Sequence, residues 1–317
     1  MKALVTGAAG FIGSNLSASL LEAGADVVGL DCFTDYYPRA IKEQNLAPLR
    51  ARHNFRFIEG ALQTTDLDAA LDGVSHVFHL AAQAGVRKSW GRDFTTYTSH
   101  NVDATQRLLE AVKDRPLARL VYASSSSVYG DDVPIPMIEE SVLRPLSPYG
   151  VTKLAAEHLC HLYYVNYGVP AVSLRYFTVY GPGQRPDMGF HRFLRAAHTS
   201  EPITVYGDGE QTRDFTYVAD AVAATRAAGD RGRPGAVYNI GGGSRVSVNQ
   251  VLAIVERLAR RPLVLRHEPP QKGDMRDTFA DTRRARADLG FAPSQSLESG
   301  LAAESEWLVR ASALSPR

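Results

Sequence analysis

The chain has only two cysteines, Cys32 and Cys160, far apart in its 317 residues. That excludes a disulfide framework and a thiolate zinc cluster, and the expected setting is a reducing cytoplasm. Charge of one sign is scarce as well. Thirty-five Lys and Arg oppose 34 Asp and Glu, for a formal net charge of +1 with no long run of either sign. A nucleic-acid footprint is therefore not expected. Long hydrophobic runs are missing too. No window offers the uncharged apolar stretch of a membrane span, and the opening "MKALVTGAAGFIG" is broken by glycines, unlike a signal peptide's apolar core. There is no internal repeat and no low-complexity segment.

What is present is an ordinary globular composition, long enough for two lobes. Short apolar runs read as strands at Lys2–Thr6, Asp26–Asp31, Phe55–Gly60, His76–Ala82, Leu120–Ser124 and Ala171–Phe177. Helical spacing separates most of them, at Phe11–Glu22, Asn101–Val112 and Tyr149–His161. Strands alternating with helices imply right-handed βαβ units, an α/β fold of Rossmann type with a doubly wound parallel sheet. After Phe177 the texture changes, beginning with the Gly- and Pro-rich "TVYGPGQRPDMG". Residues 1–177 read as a dinucleotide-binding lobe, to which a helix in 215–230 returns. Residues 178–214 and 231–317 read as a smaller mixed α/β substrate lobe. In it, Ser247 N-caps a helix to Arg260, and Ser296–Val309 reads as a terminal helix weakened by Gly300.

"TGAAGFIG" places Gly7, Gly10 and Gly13 where the first strand turns into the first helix. A tight turn, a close approach of backbone to pyrophosphate, and close helix packing each call for glycine there. The helix N-terminus adds free N–H groups and a positive dipole end. Asp31 ends the second strand, 24 residues after Gly7. A carboxylate at that place accepts hydrogen bonds from the adenosine ribose and repels a 2′-phosphate, which favours NAD over NADP; the plainer reading is a turn or capping acid.

"YGVTK" puts Tyr149 and Lys153 four apart, on one helix face. A tyrosine ordinarily titrates near pH ~10. A neighbouring ammonium and a bound nicotinamide cation are expected to pull it down, making a base for a sugar hydroxyl while a nearby serine holds the reacting oxygen. A surface Tyr–Lys pair is the plainer reading. The order of glycine turn, Asp31, serine cluster and Tyr149/Lys153 is far more specific than any part of it.

With these motifs the chain resembles the extended short-chain dehydrogenase/reductases, in their nucleotide-sugar epimerase and dehydratase group. The resemblance runs through "LAAQAG", "YASSSSVYG", "SPYGVTK", "LRYFTVYGPGQRPDM", "GDGEQTRDFTYVAD", "YNIGGG" and "GDMRDTFADT". It implies NAD, contacted by Gly7, Gly10, Phe11, Ile12, Gly13, Asp31, Leu62, Leu80, Ala81, Ala82 and Lys153. It also implies a UDP- or TDP-sugar substrate and a homodimer built through the Asn101–Val112 and Tyr149–His161 helices. The working serine falls at Ser125, with Ser124 and Ser127 as less favoured alternatives. Sugar 4,6-dehydratases carry Asp-Glu after that position, and decarboxylases a Glu just before the Val. Here stand Ser126 and Ser127, which leaves 4-epimerisation through a transient 4-keto sugar, with NAD regenerated in each cycle.

"DCFTDYY", "AAQAGVRKSW" and Arg185 in "TVYGPGQRPDM" are most similar to UDP-glucuronate 4-epimerases. A sugar carboxylate needs a cation and donors, which Arg185, Thr178, Ser126 and Ser127 offer. Arg87, Val205, Tyr206, Arg213, Asp274 and Arg276 are the remaining substrate contacts that the resemblance implies. Asn101 holds a neighbouring loop or caps a helix. Ala61 stands where relatives carry an adenine-binding Asp, leaving adenine to backbone such as that of Leu62, and Gly183-Gln184 in place of Trp-Gly implies a looser pocket wall. The alternatives are a UDP-glucose/UDP-galactose 4-epimerase, a UDP-glucuronate decarboxylase, and a non-catalytic NAD-binding regulator. No metal site is expected.

Overall fold

The computed structural model describes residues 1–314; the expected end of the substrate lobe at 317 lies outside them. Seven strands form one parallel sheet. They are β1 (Lys2–Thr6), β2 (Asp26–Asp31), β3 (Phe55–Glu59), β4 (His76–His79), β5 (Arg119–Ser125), β6 (Ala171–Tyr176) and β7 (Val237–Ile240). Their spatial order is β7-β6-β5-β4-β1-β2-β3, each neighbour parallel. The order reverses between β1 and β4, so a crevice opens at the carboxyl ends of those two strands.

Helices cover both faces, as near-continuous apolar strands require. On one face lie α1 (Phe11–Glu22), α2 (Arg39–Arg50) and, from later in the chain, α6 (Val218–Arg231). Leu16, Leu20, Leu46, Ala221 and Val222 pack there with Val5 and Val121. On the other lie α3 (Ala104–Val112) and α4 (Pro148–Tyr167), whose Leu108, Leu109, Ala156 and Cys160 pack with Leu4 and Val77. The C-terminal part adds α5 (Gly189–Thr199), α7 (Val248–Ala259), α8 (Arg283–Leu289) and α9 (Leu297–Leu314). A second core joins α5, α7 and α9 through Phe190, Leu194, Phe215, Val251, Val255 and Leu301.

Ser247 caps α7 with a complete capping box, its side chain on the Gln250 N–H and the Gln250 side chain on its own N–H. Gly300 is tolerated inside α9 because the Tyr180 hydroxyl lies where a Cβ would stand, 2.4 Å away. Two differences from expectation follow from tertiary packing. Strand β7 lies within residues 231–317, which were assigned to the substrate lobe, yet it forms an edge of the main sheet, and α8 closes over it with Ala285 and Leu289 in the same core. The segment before α3 opens as a π-helical stretch, Thr98–Asp103, rather than a regular helix start.

Candidate active site

The crevice is a cleft of about 420 Å³. Its floor is built from glycines for steric reasons. Gly7 has φ +73°, and a Cβ there would stand 2.8 Å from the Ala81 nitrogen; a Cβ on Gly13 would stand 2.0 Å from the Gly7 carbonyl oxygen. Gly10 precedes α1 with no side-chain cap, so the first N–H groups of that helix stay open to an anion. Asp31 closes this end. Its Oδ2 accepts from Ala9 N at 3.1 Å and its Oδ1 from Phe33 N at 2.8 Å, which orients the carboxylate and leaves lone pairs for two hydroxyls. Burial raises its pKa, and those N–H groups with the Lys42 charge oppose the rise. All eleven residues expected to contact NAD line the cleft. A glycine cradle, a free helix N-terminus and an oriented acid fit a dinucleotide. The Leu62 carbonyl accepts from Arg107 Nη1 at 2.5 Å, which fixes that backbone and uses one of its two lone pairs.

Tyr149, Lys153 and Ser125 all line the cleft. Ser147 caps α4 by accepting from Gly150 N at 3.1 Å, and Pro148 sits in its first turn, so Tyr149 emerges at a fixed helix start. The Ser125 hydroxyl accepts from Ser127 N at 3.1 Å and lies near enough to the Tyr149 phenol to favour its ionised form. Asn101 Oδ1 accepts from Gln83 N at 2.7 Å and its Nδ2 donates to Thr152 Oγ1 at 2.9 Å, tying the loop after β4 to α4.

The electrostatics differ from expectation. Burial pushes the Tyr149 phenol up, and the groups that pull it down are the Ser125 hydroxyl and the Arg185 charge. Lys153 is instead buried against the Tyr122 ring, its Nζ 4.5 Å from the centroid, and burial lowers it to about 7. Arg185, Thr178, Ser126 and Ser127 line the same cleft. Arg185 does not present a bare charge: it grips Asp187 with Nε and Nη2, both at 2.9 Å. Nor is the wall beside it loose, because Gln184 is buried and accepts from His191 N at 2.9 Å while donating to Val179 O.

The other expected substrate residues lie apart from the cleft lining. Arg87, which follows the lining residue Val86, pairs with Asp274 at 2.6 Å and stacks 4.2 Å over the Tyr206 ring. Arg213 donates to the carbonyls of Thr212 and Arg276, and Arg276 approaches Asp208 at 3.5 Å. Val205 turns its side chain into a small core with Ile203 and Leu252, leaving only its backbone for a ligand.

The profile of the NAD dependent epimerase/dehydratase family matches residues 3–241. The chain belongs to that family. Among its members, an uncharacterized UDP-glucose epimerase of Bacillus subtilis (strain 168), YtcB, is 46% identical over 97% of this chain and 98% of its own length. The crystal structure of the UDP-glucuronic acid 4-epimerase of Bacillus cereus, in complex with UDP-glucuronic acid and NAD, superposes with a TM-score of 0.96 at 43% identity, over 98% of this chain and all of that one. MoeE5, solved with UDP-glucuronic acid and NAD, gives a TM-score of 0.89 at 44% identity over 98% of this chain and 100% of its own; it has also been solved with UDP-glucose and NAD.

Sequence reasoning passed over several epimerase-family cleft residues. Lys42 is buried, donates to the Thr34 carbonyl at 2.6 Å, and stands 4.7 Å over the Tyr37 ring. Tyr36 is packed against Gly85 beside Arg185 and Lys88. Asp187 was not singled out either. The aromatic pair in "DCFTDYY" and the acid two after Arg185 were the available signals. Among the described residues no group of His, Cys, Asp and Glu suits a metal, and no helix is long and apolar enough to cross a membrane.

Proposed function

We propose that this chain is a NAD-dependent UDP-sugar 4-epimerase that interconverts UDP-glucuronate and UDP-galacturonate. The observation that carries this reading is the meeting of Tyr149 with the Ser125 hydroxyl and the Arg185 guanidinium in one cleft. No carboxylate stands among Ser124 to Ser127, so that strand end lacks the acid that elimination or decarboxylation would use there.

Bound NAD supplies the acceptor and donor of hydride at the sugar C4. Gly7, Gly10 and Gly13 leave room for its diphosphate, and Asp31 takes its ribose hydroxyls. Tyr149 removes the O4 proton and returns it, and Ser125 holds O4 in line with the phenol. The Arg185 charge favours the phenolate. Arg185, with Thr178, Ser126 and Ser127, holds the sugar carboxylate, keeping the C5–carboxyl bond out of line with the C4 carbonyl so that the β-keto acid is reduced before it loses CO2. Arg87, Arg213 and Arg276 gather at the diphosphate and Asp274 at the uridine ribose, each exchanging a protein partner for the substrate.

A neutral-sugar 4-epimerase is the second reading, and the Arg185–Asp187 pair favours it. A guanidinium neutralised by its own acid tolerates a hydroxymethyl group as well as a carboxylate. Incubation with UDP-glucuronate and UDP-glucose separately, with products read by NMR, decides between them. Inversion at C4 of the uronate supports the first reading; inversion of glucose alone supports the second; carbon loss, or no change on any UDP-sugar, overturns both.

The dinucleotide lobe, 1–177 with 215–230, and the sugar lobe, 178–214 with most of 231–317, meet at this cleft. The exposed face of α4 presents Val151, Leu162, Val165 and Tyr167, which suits a homodimer built through α3 and α4. Sedimentation at micromolar concentration as a monomer would contradict it. The free thiols Cys32 and Cys160 suit the cytoplasm.

A further inference from the structure

Behind the catalytic group lies a charge that the mechanism above does not use. Glu157 follows Lys153 by one helical turn on α4, and both side chains are buried. The Glu157 carboxylate accepts from three donors. Ser124 Oγ gives it 2.6 Å, Arg175 Nη2 2.6 Å and Arg175 Nε 3.1 Å. Ser124 is the residue before Ser125, at the end of β5; Arg175 lies on the adjacent β6. One carboxylate thus joins the helix that carries Tyr149 and Lys153 to the strand that carries Ser125. Arg175 is itself held by the Tyr129 hydroxyl at 2.9 Å and the Glu139 carbonyl at 3.0 Å, and Tyr129 donates on to Asn239 at 2.7 Å.

Lys153 needs a counter-charge. The groups around it come from β4, β5 and α4. His79 on β4 is fully buried between Thr6 and Thr105, and burial drops it to about 3, so it is neutral. Tyr122 on β5 is pushed well up by burial and is neutral. On α4, Tyr149 and Cys160 are both raised by burial, so neither is an anion at rest. Glu157 is the remaining acid acting on Lys153, and it favours the ammonium against burial. Arg175 grips this buried acid through two nitrogens, which compensates the cost of burying the pair.

We propose that Glu157 is a positioning residue for proton transfer, the counter-charge of Lys153 and the tether that sets Ser125 against Tyr149. This rests on the assignment of Tyr149 and Lys153 above. Two substitutions separate the parts. Glu157→Gln keeps an acceptor for Ser124 and removes the charge; Ser124→Ala removes the tether and keeps the charge. The readout is the titration midpoint of Lys153, by NMR of 13C-labelled lysine assigned through Lys153→Met, with the pH profile of kcat measured alongside.

The midpoint is expected to fall by about one pH unit in Glu157→Gln and to stay in place in Ser124→Ala. The alkaline limb of the profile moves with it, because activity is lost where the ammonium is lost. If Glu157→Gln does not fold, the pair Glu157→Leu with Arg175→Leu removes both buried charges together; because the opposing guanidinium leaves with the carboxylate, a smaller fall in the same direction is expected. A folded variant of either kind with the wild-type midpoint overturns the proposal. If the wild-type protein epimerises no UDP-sugar, the functional reading fails while the lysine midpoint still tests Glu157.

Discussion

The two ends of the cleft are built by different physics. The dinucleotide end is made of backbone and small residues: the Gly7–Gly13 turn, the uncapped start of α1, and one acid held by two N–H groups. The sugar end presents a long cation that already has a partner, Arg185 with Asp187, and a second such pair, Arg87 with Asp274, lies just outside the lining. The first end excludes by shape, so a single methyl group is decisive. The second selects by exchange of ion pairs, so charge matters more than volume.

Substitutions can break that contrast. The largest effect belongs to the junction. Tyr149→Phe removes the phenol to which proton transfer is assigned, and turnover is expected to fall by about 10²–10⁴-fold while bound NAD, measured by absorbance of the extracted cofactor, is retained. Gly13→Ala comes next. Its Cβ would overlap the Gly7 carbonyl, so the turn must shift, with NAD affinity by calorimetry weaker by at least ~10-fold and α1 destabilised. Arg185→Ala acts on the sugar end and, through the phenol that its charge favours, on the junction, but not on the dinucleotide end. The loss of a charge-assisted contact lowers kcat/KM for UDP-glucuronate by roughly 10–100-fold, with CO2 release rising and NAD affinity unchanged. Equal losses on UDP-glucose and UDP-glucuronate would show that Arg185 does not read the carboxylate.

The smallest effect sharpens the contrast from a distance. Glu304 on α9 is buried, accepts from Gly181 N at 2.7 Å at the root of the Arg185 loop, and its Oε1 has no partner. Burial lifts its pKa to about 8. An acid raised in the folded state retains its proton where the unfolded chain has lost it, so stability falls as pH climbs from the ordinary carboxylate range toward 8. Glu304→Gln removes that slope. Its melting temperature is expected to exceed that of the wild type by several degrees at pH 9 and to match it near pH 4, with calorimetry as the check.

The contrast also explains what could be read from sequence. The dinucleotide end depends on residues close in the chain, and the Gly7–Gly13 spacing and Asp31 at a strand end identified it. Tyr149 and Lys153 are likewise one helical turn apart. The sheet was legible because six of its strands are apolar runs with helices between; β7 was not, since it returns after a long excursion through the second lobe. Lys42, Asp187 and Glu157 escaped for the same reason. Glu157 gains its meaning from Ser124, 33 positions away, and Arg175, 18 away, and nothing in the local sequence marks that meeting. The expected pull of Lys153 on Tyr149 failed because spacing on a helix says which face two side chains share, not what else lies against them.

The guanidinium–carboxylate couples have one more consequence. An arginine already gripped at two points gives little welcome to a lone inorganic anion, which would have to evict an acid to gain one contact. A ligand long enough to recruit several such couples in a single binding event offsets the cost collectively. Free phosphate is therefore expected to inhibit weakly where a sugar diphosphate binds well, a difference that turnover in added phosphate would check.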